Sequence, residues 1–169
     1  MSYAMPEYNE DEWKNCNGKP VREEDVEFRK QDYIAGIGRN GKPIPKWELL
    51  QEQDKYGFYS KGNIDEMKGK SKIKVRLPKG TKFLRYGTPH GHYTAPLGSE
   101  YERLSLPYVK ESIPYNEYEV VAEWIEVEWG YTALGFDSID RCIQYYNEDT
   151  VNVLKEKGMI KKIKRGTIV

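Results

Sequence analysis

The chain has 169 residues, and its 27 basic and 27 acidic side chains cancel. That balance excludes a whole-molecule field drawing it to nucleic acid or to a lipid surface, so function has to come from a local site. The length suits one domain with a sizeable core, roughly 100–200 residues being the usual span.

The aromatic content lies in 14 Tyr and 4 Trp, against only 4 Phe. Tyrosine has a flat apolar body and a polar tip, which suits half-buried strands and stacking on the rings of a ligand. Cys16 and Cys142 are the only cysteines. A disulfide framework is therefore excluded as the main stabiliser, while a single bridge stays open. No apolar run approaches the ~18 residues a membrane span needs, and Met1-Ser2-Tyr3 lacks a basic start followed by an apolar stretch. No classical export signal is expected in this chain; the protein is either cytosolic or carried by other means.

Residues 1–40 are polar and charge-mixed, with hydrophobic anchors at Trp13, Val26, Phe28, Tyr33 and Ile34. In VREEDVEFRKQDYIAGIG, Val26, Arg29, Lys30 and Tyr33 fall at helical spacing, which predicts one or two helical turns ended by the glycines. GRNGKPIPKW, 38–47, reads as a turn-rich connector because Gly and Pro block regular pairing. The core domain is expected to begin there, giving an extension over 1–45 and a domain over 46–169. KWELLQEQDKYG is a short helical or extended piece, and KYGFYSKGNIDEMKGKS is loop.

SKIKVRLP alternates Ile73, Val75 and Leu77 with Lys72, Lys74 and Arg76, the pattern of a half-buried strand with a basic outer face. LPKGT leads into a second short strand at 82–85. The seven basic residues from Lys70 to Arg85, with no acid between them, are either a solvated strand face or an anion-attracting rim. EYEVVAEWIEVEWG alternates over 117–130 with a phase slip near Trp124, which predicts a bulge or a bend between two strands. CIQYY reads as a short buried strand. The C-terminal region predicts a helix capped by Asn147 or Asp149, with Val151 and Leu154 as its apolar stripe and Gly158 as its stop, then a basic strand over 159–164. The fold class is α+β: a strand-dominated domain of mostly antiparallel sheet with few short helices, one near the C-terminus.

Chemistry is densest between Leu77 and Tyr108. The sequence carries no G-x-S-x-G elbow, H-E-x-x-H pair, phosphate loop or four-cysteine metal site. His90 and His92 project to one side of an extended chain, but no third ligand is placed by spacing, so no metal is expected. Arg85 ends a basic strand before a Tyr-Gly turn, where it can grip a diphosphate bidentately or form a surface ion pair. Gln144 sits between Ile143 and Tyr145; its amide is hydrogen-bonded in the core or faces a cavity, since an unpaired buried amide costs ~1–3 kcal/mol.

Taken in order, these features resemble the TNT-type NAD glycohydrolases, toxin domains related to the tuberculosis necrotizing toxin, over roughly Tyr56 to Ile163. The matching pieces are Arg85-Tyr86-Gly87, then Tyr93, then Ala95-Pro96 with Gly98, then Leu106-Pro107. Further on they are Tyr115, Tyr118 and Val120 of a Tyr-x-x-Tyr-x-Val strand, Phe136 before a loop, Ile143-Gln144-Tyr145 closing it, and a helix, glycine and strand over Val151 to Ile163. Three positions depart from the family pattern. Asn116 stands where relatives have histidine, the loop Asp137–Cys142 is not glycine-rich, and Arg103 lies one residue early.

The resemblance implies hydrolysis of NAD or NADP at the nicotinamide–ribose bond, with the dinucleotide as substrate and no cofactor. It assigns Arg85 to the diphosphate, Arg103 to phosphate or site support, Tyr93 and Phe136 to stacking around the nicotinamide ribose, and Gln144 to ribose or water, while Tyr86, beside Arg85, is placed to stack on a ring of the substrate. Asn116 replaces the histidine; it can hydrogen-bond a ribose or nicotinamide group but is no general base. The resemblance further implies delivery into a target cell and a cognate immunity protein, with no nucleic-acid or membrane partner. Two alternatives remain: a disabled site that binds a nucleotide or a protein, and ADP-ribosyl transfer or cyclisation.

Overall fold

The computed structural model describes residues 10–62 and 69–163. Residues 63–68 of the expected loop and Lys164 of the expected last strand lie outside the described residues. Strands β1 (Ile34–Ile37) and β2 (Pro43–Pro45) form a two-stranded antiparallel hairpin. The one or two helical turns expected upstream are two separate 3-10 turns, Glu23–Asp25 and Gln31–Tyr33, and the expected connector contains β2. Backbone groups that a helix would need are used elsewhere: Arg29 N–H donates to Pro107 O at 3.0 Å, and Val109 N–H to Glu27 O at 2.7 Å.

The main sheet holds β3 (Lys72–Pro78), β4 (Lys82–Tyr86), β5 (Tyr93–Pro96), β6 (Tyr115–Val120), β7 (Trp124–Tyr131), β8 (Ile143–Tyr146) and β9 (Ile160–Lys162). Their order is β3-β7-β8-β5-β4-β6-β9, and every neighbouring pair is antiparallel. The phase slip near Trp124 is a bend between β6 and β7, two strands that do not pair with each other. On the outer face Lys74 stands opposite Glu128 and Arg76 opposite Glu126. Much of the basic run is thus met by an acidic neighbour strand, and such exposed pairs are worth about 0–1 kcal/mol each. The structure favours the solvated face over the anion rim for β3.

Alternation along β4 divides the apolar residues. Phe83 belongs to a core with Tyr118, Val120, Ile125, Val127 and Tyr145, covered by Val151 and Leu154 of helix α1 (Val151–Glu156). Leu84, one residue on, belongs to a smaller cluster with Ala95 and Tyr115, backed by Tyr86 and Leu104. Each fully buried large apolar side chain contributes ~1.5–3 kcal/mol. The N-cap of α1 is Thr150, whose hydroxyl accepts from Val153 N–H at 3.2 Å, rather than Asn147 or Asp149. Asn147 is occupied with His92 O and Thr94 Oγ1, and Asp149 pairs with Lys157 at 2.7 Å.

The N-terminal segment is fastened to this sheet by buried polar contacts. Glu12 is buried; its carboxylate pairs with Lys155 of α1 and accepts from Tyr118 Oη at 3.1 Å. Burial, ahead of the neighbouring Glu12, pushes the Tyr118 phenol up, so it stays a donor. Asn116 Nδ2 donates to Glu12 O at 2.9 Å, Tyr115 N–H to Lys14 O at 2.9 Å, and Asn15 Nδ2 to Glu111 O at 2.8 Å. Asn116→Ala should therefore cost stability, about 1–3 kcal/mol for a buried carbonyl left unpaired, seen as a lower denaturant midpoint. If turnover fell further than the folded fraction did, Asn116 would have a role at the substrate as well.

Candidate active site

A cavity of about 820 Å³ opens over the smaller apolar cluster. Its walls come from the end of β4, from β5 and β8, from residues 104–108 and 113–114, and from the N-terminal segment through Trp13, Glu23, Val26 and Phe28. A volume of this size is typical of sites for small organic ligands, roughly 300–1,000 Å³.

Arg85 is the fixed cation of this cavity. It is the penultimate residue of β4, and Gly87, just past the strand, has a φ of 132° that lets the chain turn back across the side chain. Nε donates to Thr88 O at 2.6 Å and Nη1 to Tyr93 O at 2.9 Å, so two carbonyls hold the guanidinium. Gly91 packs against its other edge; a Cβ there would lie 1.9 Å from Nη2. Among the described residues no carboxylate pairs with Arg85. Burial pushes its pKa down to about 10, which leaves it cationic at neutral pH. A positioned, desolvated arginine without a counter-ion is complementary to an anion.

Three more of the expected residues meet Arg85 here. Tyr93, on β5, lines the cavity and donates its hydroxyl to Tyr56 O at 2.7 Å. Burial, ahead of the neighbouring Tyr146, pushes that phenol up to about 12, so it stays protonated. Tyr86 lines the wall and packs on Tyr101 and Tyr115, with centroids 4.8 and 4.6 Å away. Gln144 is half-buried on β8, lines the cavity, and makes no side-chain hydrogen bond among the described residues. Of the two readings open for Gln144, the structure has the one that faces a cavity.

The other three stand outside the lining. Asn116 is turned toward Glu12, and its Oδ1 is buried without a hydrogen bond among the described residues. Arg103 ends a 3-10 turn between Glu100 and Asp140, each 3.8 Å away. Phe136 is buried, edge-on to Tyr33 and Trp47 with centroids at 5.0 and 5.8 Å.

Phe136 and Asp137 both have left-handed backbones, φ 51° and 62°, a conformation that costs a non-glycine residue of order 1 kcal/mol or more. The N-terminal segment clamps this turn. Arg29 donates to the carbonyls of Phe136 and Leu106, while Lys30 and Tyr33 both bond the Asp137 carboxylate. Lys30, ahead of Tyr33, holds that carboxyl below its ordinary range. Ser138 Oγ lies 2.8 Å from Ser105 Oγ, tying the turn to a residue of the cavity wall.

His92 is used in packing: Nδ1 lies 3.0 Å from Asn147 O and the ring stacks on Tyr146. Among the described residues no group of three or more His, Cys, Asp or Glu is placed to hold a metal ion, and both cysteines are free. Sequence reasoning missed the N-terminal wall and Trp47, Leu50, Gln53 and Tyr56. Trp47 and Tyr56 carry a faint signal, as large aromatics flanking short polar runs beside Gly and Pro.

The site is thus a fixed arginine in a cavity of an antiparallel sheet, without a carboxylate partner among the described residues. The model of the tuberculosis necrotizing toxin family matches residues 76–163, just over half of the chain, and the chain belongs to that family. Its fold is similar to that of tuberculosis necrotizing toxin solved in complex with its immunity factor IFT. The TM-score is 0.56 at 16% identity, covering 90% of this chain and 77% of that one. A fainter likeness is to Tse6 solved in complex with Tsi6, with a TM-score of 0.41 at 18% identity over 56% of this chain and 72% of that one. No curated protein sequence matches the chain significantly.

Proposed function

We propose that this toxin domain is an NAD(P)+ glycohydrolase that cleaves the nicotinamide–ribose bond and releases nicotinamide and ADP-ribose. The observation that carries this reading is Arg85: a cation held by two carbonyls, without a carboxylate partner among the described residues, in one cavity with Tyr86, Tyr93 and Gln144. Its fork suits the diphosphate of a dinucleotide. The pyridinium leaving group is already positively charged. The N-glycosidic bond breaks with its electron pair moving to nicotinamide, which leaves neutral; water adds to the oxocarbenium-like C1′ and gives up its proton to solvent. Little acid–base help is required. The protein's part is orientation and charge complementarity, with the Gln144 amide aligning a ribose hydroxyl or the water.

Purified protein incubated with NAD should release nicotinamide; no release at high enzyme concentration refutes the reading. Product analysis for ADP-ribose separates hydrolysis from transfer or cyclisation. Asn116 favours a second reading, since the side chain at the position of the family's histidine is turned out of the cavity. Under that reading the domain binds the dinucleotide without turnover, and calorimetry would record heat with no product.

As a toxin, the domain is delivered to the cytoplasm of a target cell and is neutralised in its producer by a cognate immunity protein. Family membership and the solved complex of tuberculosis necrotizing toxin with its immunity factor support that reading. Among the described residues no helix is long and apolar enough to cross a membrane.

A further inference from the structure

Phe136 is 3% exposed, so whatever occupies the cavity does not stack on it. The aromatic in front of it does reach the cavity. Trp47 begins a 3-10 turn (Trp47–Leu49), is 43% exposed, and lines the same cavity as Arg85 and Gln144. From the molecule outward, Tyr33, Phe136 and Trp47 form a file of edge-on contacts, with interplanar angles of 74° and 77°. The first two members are buried, and the third presents its indole to the cavity.

The file is held firmly at its base. Arg29, Lys30 and Tyr33 fix the left-handed turn at Phe136–Asp137. Lys46 N–H donates to Tyr33 O at 2.8 Å, and Gln53 Nε2 to Trp47 O at 2.8 Å, so the backbone carrying Trp47 is tied on both sides. A tryptophan normally buries most of its large apolar surface. One left two-fifths open on a cavity wall, backed by a clamped aromatic, is pre-organised to receive a flat ring at low entropic cost.

We infer that Trp47 is the stacking platform of this cavity and takes a planar heteroaromatic ring of the dinucleotide, with Phe136 supporting it from behind. This rests on the reading that the cavity takes a pyridine dinucleotide. Trp47 lies outside residues 76–163, so the site recruits a recognition element from beyond the matched stretch. Either end of the dinucleotide supplies such a ring, the adenine or the nicotinamide, and the two are separable by fragment.

The test is calorimetric titration of the full chain with ADP-ribose and, separately, with nicotinamide mononucleotide, for wild type, Trp47→Phe and Trp47→Ala. Base–aromatic stacking is worth ~1–3 kcal/mol, so Trp47→Ala should weaken one fragment roughly 5- to 150-fold. Loss confined to ADP-ribose places the adenine on Trp47; loss confined to nicotinamide mononucleotide places the pyridine there. Trp47→Phe keeps a flat ring and should stay near wild-type affinity, while the ligand-induced change in tryptophan fluorescence falls to what Trp13, the other tryptophan of the wall, contributes. If Trp47→Ala does not fold, Trp47→Leu provides the same comparison with an apolar, non-aromatic side chain. Unchanged affinity for both fragments in the non-aromatic variant would overturn the role of Trp47 while leaving the cavity's ligand standing. A wild-type protein that binds neither fragment and turns over no NAD would overturn both.

Discussion

Gly91→Ala should abolish most of the NAD hydrolysis while leaving a folded protein. The added Cβ would lie 1.9 Å from Arg85 Nη2 and 2.1 Å from Cζ, well inside any real contact, so the guanidinium has to move. Its position depends on the two carbonyl contacts at 2.6 and 2.9 Å, and a shift that frees the bulky fork from the methyl breaks at least one of them. Hydrogen bonds to a charged group are worth about 1.5–3 kcal/mol, so kcat/KM should fall roughly 10- to 150-fold. Arg85→Lys checks the cause. Lysine keeps the charge but lacks the planar fork, and should lose activity by a similar factor. A Gly91→Ala enzyme with wild-type kcat/KM would show that Arg85 takes no part in the reaction.

Gln144→Ala should be the other severe loss. The amide faces the cavity without a hydrogen-bond partner among the described residues, so removing it breaks no side-chain hydrogen bond among them. Deleting one pre-organised polar group aimed at a transition state costs about 100- to 1,000-fold in kcat. Lys74→Ala is the control. That lysine is exposed on β3, opposite Glu128, and its removal should leave turnover close to wild type. Steady-state rates of nicotinamide release compare the two variants directly, and equal losses would remove Gln144 from the site.

Alternation made β3, β6 and β7 legible in the sequence, the LPKGT turn made β4 legible, and the spacing of Val151, Leu154 and Gly158 made α1 legible. Register parity also carried a signal about Asn116 that residue type obscured. It shares a face with Tyr118 and Val120, the core side of β6, whereas Tyr115 faces the smaller cluster beside the cavity. Arg85 has the parity of Phe83 but escapes it, because Gly87 ends the strand and the long side chain folds back to Thr88 and Tyr93. The hairpin of β1 and β2 was hidden by the Gly and Pro that usually interrupt strands. The N-terminal wall was hidden for a different reason: Trp13, Val26 and Phe28 line the cavity without any common period, and only long-range contacts place them there.

The fastening of Glu12 spans almost the whole chain, since its partner Lys155 lies 143 residues away. Contacts so distant in sequence close late, after their loop entropy has been met by the rest of the sheet. While the polypeptide is still emerging from the ribosome, the segment bearing Trp13 has no ammonium to anchor it until residue 155 has been made. A chain still short of residue 155 therefore holds the Glu12 carboxylate without its counter-ion, and that fastening of the cavity's N-terminal wall is made late.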